Sequence, residues 1–228
     1  MCRAEFWAIL VAMSGKRWRQ LTLWLHVVCS VGWLSQALAL LVLTSLALGT
    51  ADAAVRGSAL TMAKHLDMAL LAELANVSAF TGFVLAAATA WGFFRHWWVL
   101  VKFVITVVQL YLGIFVLAGA LREAARTGAP SVWLAVGAGL MAAAIAFQAW
   151  VSVAKPWAKT PWAGAGKLPT APRWVFVLAV AAPVLDLTAG TALGYPLPAA
   201  EVLVLATVLV HRSLAKDSPR KVPAALRA

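Results

Sequence analysis

Two carboxylates, Glu73 in LLAELANVSAF and Asp186 in APVLDLTAGTA, stand in the middle of apolar runs long enough to cross a bilayer. An unpaired charge at that depth is costly, so an ionisable residue there points to a functional site. A buried carboxyl keeps its proton more readily than a solvated one and can donate it as a general acid. Protonating an alkene or epoxide of a prenyl chain creates a carbocation, which aromatic faces stabilise. A second carboxylate then assists the donor or takes the terminating proton. Glu73 and Asp186 are therefore the expected catalytic pair.

The elements that must position them follow from composition. Of 228 residues, 63% are hydrophobic and 12% charged, and a span needs about 20 apolar residues. Six segments qualify: Leu21–Leu48, Leu66–Trp91, Trp97–Leu121, Val132–Val153, Trp174–Leu193 and Ala199–Arg212. The last is short and carries Glu201 near its start, which leaves a five-span chain with a re-entrant end open. Backbone polar groups in lipid must be satisfied internally, and the runs lack strand-like alternation, so the expected fold is an all-α polytopic transmembrane bundle.

All but four of the 19 Lys and Arg fall in the N-terminal segment, the Arg95–Lys102 link, the Lys155–Arg173 stretch and the tail from Arg212. The exceptions are Arg56, Lys64, Arg122 and Arg126. Positive residues stay cytoplasmic, which puts both termini inside the cell membrane's cytoplasmic face. The net charge of +11 then reports topology and anionic lipid. A nucleic-acid partner has no support, because no folded basic face forms.

The expected organisation is an interfacial N-terminus (1–20), a four-helix unit (21–153), a Pro-, Gly- and Lys-rich cytoplasmic linker (154–173), a C-terminal helix pair (174–212) and a basic tail (213–228). EFWAILVAM near the start precedes its charges, the reverse of a signal peptide. Cys2 and Cys29 make no disulfide framework. Eight of the twelve tryptophans cluster at the cytoplasmic boundary as an interfacial belt, and Trp33 lies well inside a span.

Helical spacing sorts the polar residues into two layers. His26, Ser30 and Trp33 share one stripe of the first span, and Lys102, Thr106, Gln109 and Gly113 one stripe of the third. His26 and Lys102 each lie about 7–8 Å from the cytoplasmic ends of their spans, with Arg95 and His96 at the mouth below. Glu73 and Asp186 are each about 10 Å from the outer end. Asn76 and Phe80 share the Glu73 face; Pro183 and Gly190 flank Asp186. Trp33, Gln36, Asn76, Phe80, Gln109 and Tyr111 are the expected substrate-binding residues of a polar pocket with aromatic walls. The plainer readings are that Gln36, Gln109 and Asn76 join helices, that Arg95 and Lys102 snorkel to headgroups, that His26 is a hydrogen-bonded core residue, and that Asp67 and Glu201 are solvated at the outer interface.

WLHVVCSVGWL, FTGF at Phe80–Phe83, WGFFRHWWVLVKF and AKPWAKTPW resemble a functionally obscure family of small bacterial polytopic membrane proteins, over about residues 17–162. More distantly, a histidine seven residues before a tryptophan in span one, with a lysine opening span three, is similar to membrane protoporphyrinogen oxidase and to CopD-like copper-resistance proteins. That resemblance implies a four-helix unit, with His26 and Lys102 at a haem or porphyrin site. The chain departs from it in having no second intramembrane histidine, and from the obscure family in carrying Glu73 and in continuing beyond KPWAKTPW.

Three functions are therefore expected in order: a terpene cyclase-like membrane enzyme, similar in chemistry to small integral-membrane cyclases, needing no cofactor and no metal; a haem b-binding redox protein; and a proton-coupled transporter. A lipid-soluble substrate and membrane lipids are the expected partners, and a homo-oligomer fits a transporter of so few spans. Phosphate-cradling loops, zinc spacings and nucleophile–base motifs are missing, against nucleotide-driven or hydrolytic activity.

Overall fold

The computed structural model describes residues 13–164, 166 and 168–217. Cys2, Arg3, all of the EFWAILVAM segment but its last residue, Lys167 and the tail beyond Asp217 lie outside the described residues. The fold is all-α, with six long helices: α1 (Gly15–Gly49), α2 (Ala53–Ala88), α3 (Trp97–Thr127), α4 (Val132–Ala154), α5 (Arg173–Leu193) and α6 (Ala199–Asp217). The first five are long and apolar enough to cross a membrane. Large apolar side chains such as Val27, Val42, Leu140, Trp133 and Phe115 point outward, as a lipid-facing surface requires. The chain is a multi-pass helical membrane protein.

Helix ends follow local chemistry. Ser14, Asp52 and Ser131 accept first-turn amide hydrogens of α1, α2 and α4. Gly128 and Gly194 end α3 and α5 in the left-handed conformation. These caps move boundaries outward from the expected spans. Asp52, bonded by the amides of Ala54 and Val55, starts α2 well before Leu66, and Ser14 brings the KRWR segment into α1. The early part of α2 is polar outside but buries Ala59, Leu60 and Ala63 against Ala47, Leu121 and Leu134. α2 and α3 each contain one π turn, Asp67–Leu71 and Gly113–Leu117; such a turn rotates all that follows it on the helix. Glu73 stands two residues beyond the first.

α1 and α2 form the centre. α4 packs on α1, and α3 on α2 and α4; the α5 and α6 pair packs on α1 and α2. Small residues set these approaches, with Ala37, Ala75 and Ala142 meeting around Trp33 in mid-bundle. Phe80, Val84, Val175, Phe176 and Val208 join the C-terminal pair to α1 and α2.

The loop between α2 and α3 and the linker before α5 are folded on one another. Thr160 donates its amide to Arg95 O at 3.1 Å and its hydroxyl to Phe94 O at 2.5 Å, while His96 and Lys159 form an antiparallel bridge. Arg95 is buried and donates to the Gly166 carbonyl. It therefore does not snorkel to a headgroup: a backbone acceptor in the linker satisfies its guanidinium.

Candidate functional site

Pro198 cannot cap α6 with a side-chain acceptor, because it has none. Asp186, across the turn on α5, does so instead: its Oδ1 accepts the Ala200 amide and its Oδ2 the Glu201 amide, each at 2.8 Å. Two first-turn amides that would otherwise be orphaned thus meet a carboxylate in a charge-assisted pair. Asp186 is 4% exposed and Glu201 3%. The expectation that Glu201 is solvated is thereby corrected: the Asp186 contact draws the first turn of α6 inward and takes Glu201 with it. Asp67 is half-buried, with Arg122 near enough to act on it electrostatically.

Glu73 comes to the same place from α2. Its Oε1 lies 3.1 Å from where a Cβ on Gly190 would stand, one turn beyond Asp186, so the bare glycine makes room for the carboxylate. Glu73, Asp186 and Glu201 are mutually within electrostatic reach, and Cys29 on α1 is close enough to sense Glu201. Among the described residues the single ion pair is Glu123 with Arg126, on the exposed end of α3. No cation in that set neutralises the three acids, nor do any three described His, Cys, Asp or Glu residues form a metal-ligand group.

His26 belongs to a separate layer. Its Nδ1 is 2.9 Å from Ser78 O and 3.2 Å from Thr81 Oγ1, and Ser30 Oγ meets Ser78 Oγ at 2.7 Å. A carbonyl only accepts, so Nδ1 carries the hydrogen. The ring packs on Gly82, where a Cβ would sit 2.9 Å from Cε1. Lys102 lies within electrostatic reach of His26 but gives its Nζ hydrogen to Ser152 Oγ at 2.5 Å. Of the other histidines, His65 lies early on α2, about 20 Å along the helix from Ser78, His96 caps α3, and His211 packs on Trp174 at the far end of α6. His26 and Lys102 thus have partners within the protein, and no described histidine completes an axial haem pair with His26.

The remaining expected residues disperse. Trp33 and Phe80 are buried, in different packing clusters. Asn76 is half-buried beside Glu73 on α2. Gln36 Oε1 is buried without a partner. Gln109 joins Gln148 and Met141 between α3 and α4. Tyr111 is 60% exposed, its ring tilted against Phe115 at 5.3 Å between centroids. Two surface depressions, one lined by Ala53, Gly57, Thr61 and Met62 and one by Pro172, Arg173, Trp174, Val177 and Leu178, lie away from the carboxylates.

Sequence reasoning missed Glu201, Gln148 and Ser152 as participants. Gln148 and Ser152 are i and i+4 on α4, the same stripe logic that singled out Lys102, Thr106 and Gln109 on the facing helix. Glu201 carried a weaker signal, an acid in the first turn after LPAA. The resemblance drawn from RHWWVLVK and KPWAKTPW identifies no family: no known protein family, no curated protein and no solved structure matches this chain, which stands as a helical polytopic membrane protein.

Proposed function

We propose that the protein is a proton-coupled membrane transporter, with both termini cytoplasmic, whose proton site is the Glu73, Asp186 and Glu201 triad. One observation carries this reading: three carboxylates from three helices converge with no cation among the described residues to neutralise them. Like charges at close range in a low-dielectric interior repel strongly, and binding a proton relieves that repulsion. Both oxygens of Asp186 are already engaged as acceptors by two amides. The proton therefore belongs on Glu73 or Glu201. Glu73 stands on the four-helix unit and Glu201 on the C-terminal pair, so protonation changes the force between the two parts, which is the mechanical link a coupled transporter needs.

Acid-initiated cyclisation of a prenyl-type substrate is the second reading. It is favoured by one feature, an amide-fixed Asp186 beside a carboxyl donor. Against it, neighbouring carboxylates hold a proton back from a base as weak as an alkene, and Tyr111 is exposed on the surface of the bundle.

Infrared titration of the protein in liposomes tests the proposal. The protonated-carboxyl C=O band should appear as pH falls and diminish in Glu73→Gln and in Glu201→Gln. Proton uptake into the same liposomes, followed with an entrapped pH-sensitive dye, should fall with it. A band and an uptake unchanged in both variants would overturn the assignment. A cyclic product formed from an added prenyl epoxide, and lost in both Glu73→Gln and Asp186→Asn, would instead establish the cyclase.

A further inference from the structure

Both π turns stand at one boundary inside the four-helix unit. Toward the end that carries the α1–α2 and α3–α4 connections, one core cluster holds Leu40 of α1, Ala63 of α2, Leu121 of α3 and Ala138 of α4. The next cluster holds Ala37 of α1, Ala75 of α2 and Ala142 of α4, with Leu110 of α3 packed against it. α1 passes from one cluster to the other between Ala37 and Leu40, and α4 between Ala138 and Ala142, as unbroken α-helix. α2 and α3 make the same passage through Asp67–Leu71 and Gly113–Leu117.

In each π turn an amide reaches back five residues, Ala72 to Asp67 O and Ala118 to Gly113 O. Helices bend most readily at such turns. The last residue of each is a leucine seated as a pivot. Leu71 packs against both clusters. Leu117 occupies a notch left by Gly137 on α4, where a Cβ would stand 2.5 Å from its Cδ2.

Beyond the pivots, Ala53–Leu66 of α2 and Ala118–Thr127 of α3 pack on each other. Small and apolar side chains, Ala59, Leu60, Ala63 and Ala124 among them, fill their cluster, and Asp67 and Arg122 lie within electrostatic reach. These far halves are one body hung from two joints, with Glu73 two residues inside the first joint. Small side chains against α1 and α4 permit the sliding that packed helices use in shear and hinge motions.

We propose that the far halves of α2 and α3 form a gate that swings on the paired π turns and opens Glu73 to water at that end of the bundle, an inference that rests on the carboxylate proton site. A joint in each of two adjacent helices, at the same level and next to the proton-carrying residue, gives the motion an axis and a beneficiary.

The test uses the full chain in liposomes. Spin labels at Met62→Cys on the gate and Leu140→Cys on α4, both exposed positions, with Cys2→Ser and Cys29→Ser to remove the native thiols, report the gate's position as a distance distribution. Two populations are expected, with their ratio shifted by Glu73→Gln. Leu70 and Val116 are exposed residues of the two π turns; deleting either restores ordinary α-helix and should leave one population. In liposomes of the unlabelled chain, either deletion should abolish proton uptake while the carboxyl infrared band persists. A single distance, the same with and without Glu73→Gln, would overturn the gate however the deletions fold, and so would uptake that survives both deletions. Label distances need no proton transfer and the infrared band needs no hinge, so failure of the gate and failure of the proton site are told apart.

Discussion

Asp186 accepts the amide hydrogen of Glu201 at 2.8 Å although the two residues belong to different helices and are both acids. An N-cap acceptor is normally the residue immediately before its helix; here it comes from the preceding helix, since Pro198 has no side-chain acceptor. Removing an N-cap acceptor costs about 0.5–2 kcal/mol, and a buried amide left unpaired costs about 1–3 kcal/mol. Asp186→Ala should therefore lower thermal stability in detergent clearly, and Asp186→Asn, which keeps one acceptor oxygen, should lower it less. Equal stability of the two variants would mean that the contact does not hold α6.

Gly190 decides whether Glu73 can reach the triad. A methyl group there would meet Glu73 Oε1 at 3.1 Å and the Tyr195 carbonyl at 3.2 Å. The glutamate can swing away, but the backbone carbonyl cannot do so cheaply. Gly190→Ala should destabilise by about 1–3 kcal/mol, the usual range for overpacking, and should weaken the carboxyl infrared band assigned to Glu73. Gly57→Ala provides the control: nothing lies within 4 Å of the added carbon, and glycine to alanine within a helix gains about 0.8–1.0 kcal/mol.

These contacts mark where sequence reading stopped. The six helices were legible from apolar run length, and the capping serines, Asp52 and Gly128 that set their true ends were present in the sequence too. The azimuth of each side chain was not legible. Tyr111 and Gln109 are two residues apart, about 200° around the helix, so they cannot share a wall, and Gln109 is the one that faces α4. Glu201 was invisible as a site residue because its burial depends on Asp186, fifteen residues earlier, pulling the start of α6 inward. The pairing of Arg95 and Thr160 across two loops has no periodicity to read at all.

His26 and Gly82 form a second tight approach, with a would-be Cβ 2.9 Å from the ring Cε1. Gly82→Ala should destabilise by pushing the ring off Ser78 O and Thr81 Oγ1, with a cost of about 1–3 kcal/mol. In His26→Ala the obstruction is gone, so adding Gly82→Ala should cost little or nothing. A double-mutant cycle on thermal unfolding measures the coupling, expected at about 0.5–3 kcal/mol for residues in contact. Additive effects would show that the two do not pack as described.

The Gln109 and Gln148 pair gives the sharpest contrast between losing a hydrogen bond and orphaning a group. Gln148 Nε2 donates to Gln109 Oε1 at 2.6 Å, Thr106 Oγ1 donates to Gln148 Oε1 at 2.9 Å, and Gln109 Nε2 donates to Met141 O at 3.1 Å. Both amides are buried in the α3 and α4 interface. Gln109→Leu strands the Gln148 amide, at a cost of about 1–3 kcal/mol. Replacing both with Leu removes the stranded donor and restores apolar packing, so the double variant should be more stable than Gln109→Leu alone. Thr106 tempers the rescue, because its hydroxyl then loses its acceptor on Gln148 and must turn back to its own helix carbonyl. Adding Thr106→Val should recover that remainder. If instead each substitution lowers the unfolding temperature further, the network contributes as bonds made rather than as penalties avoided, and the two helices depend on it for more than polar satisfaction.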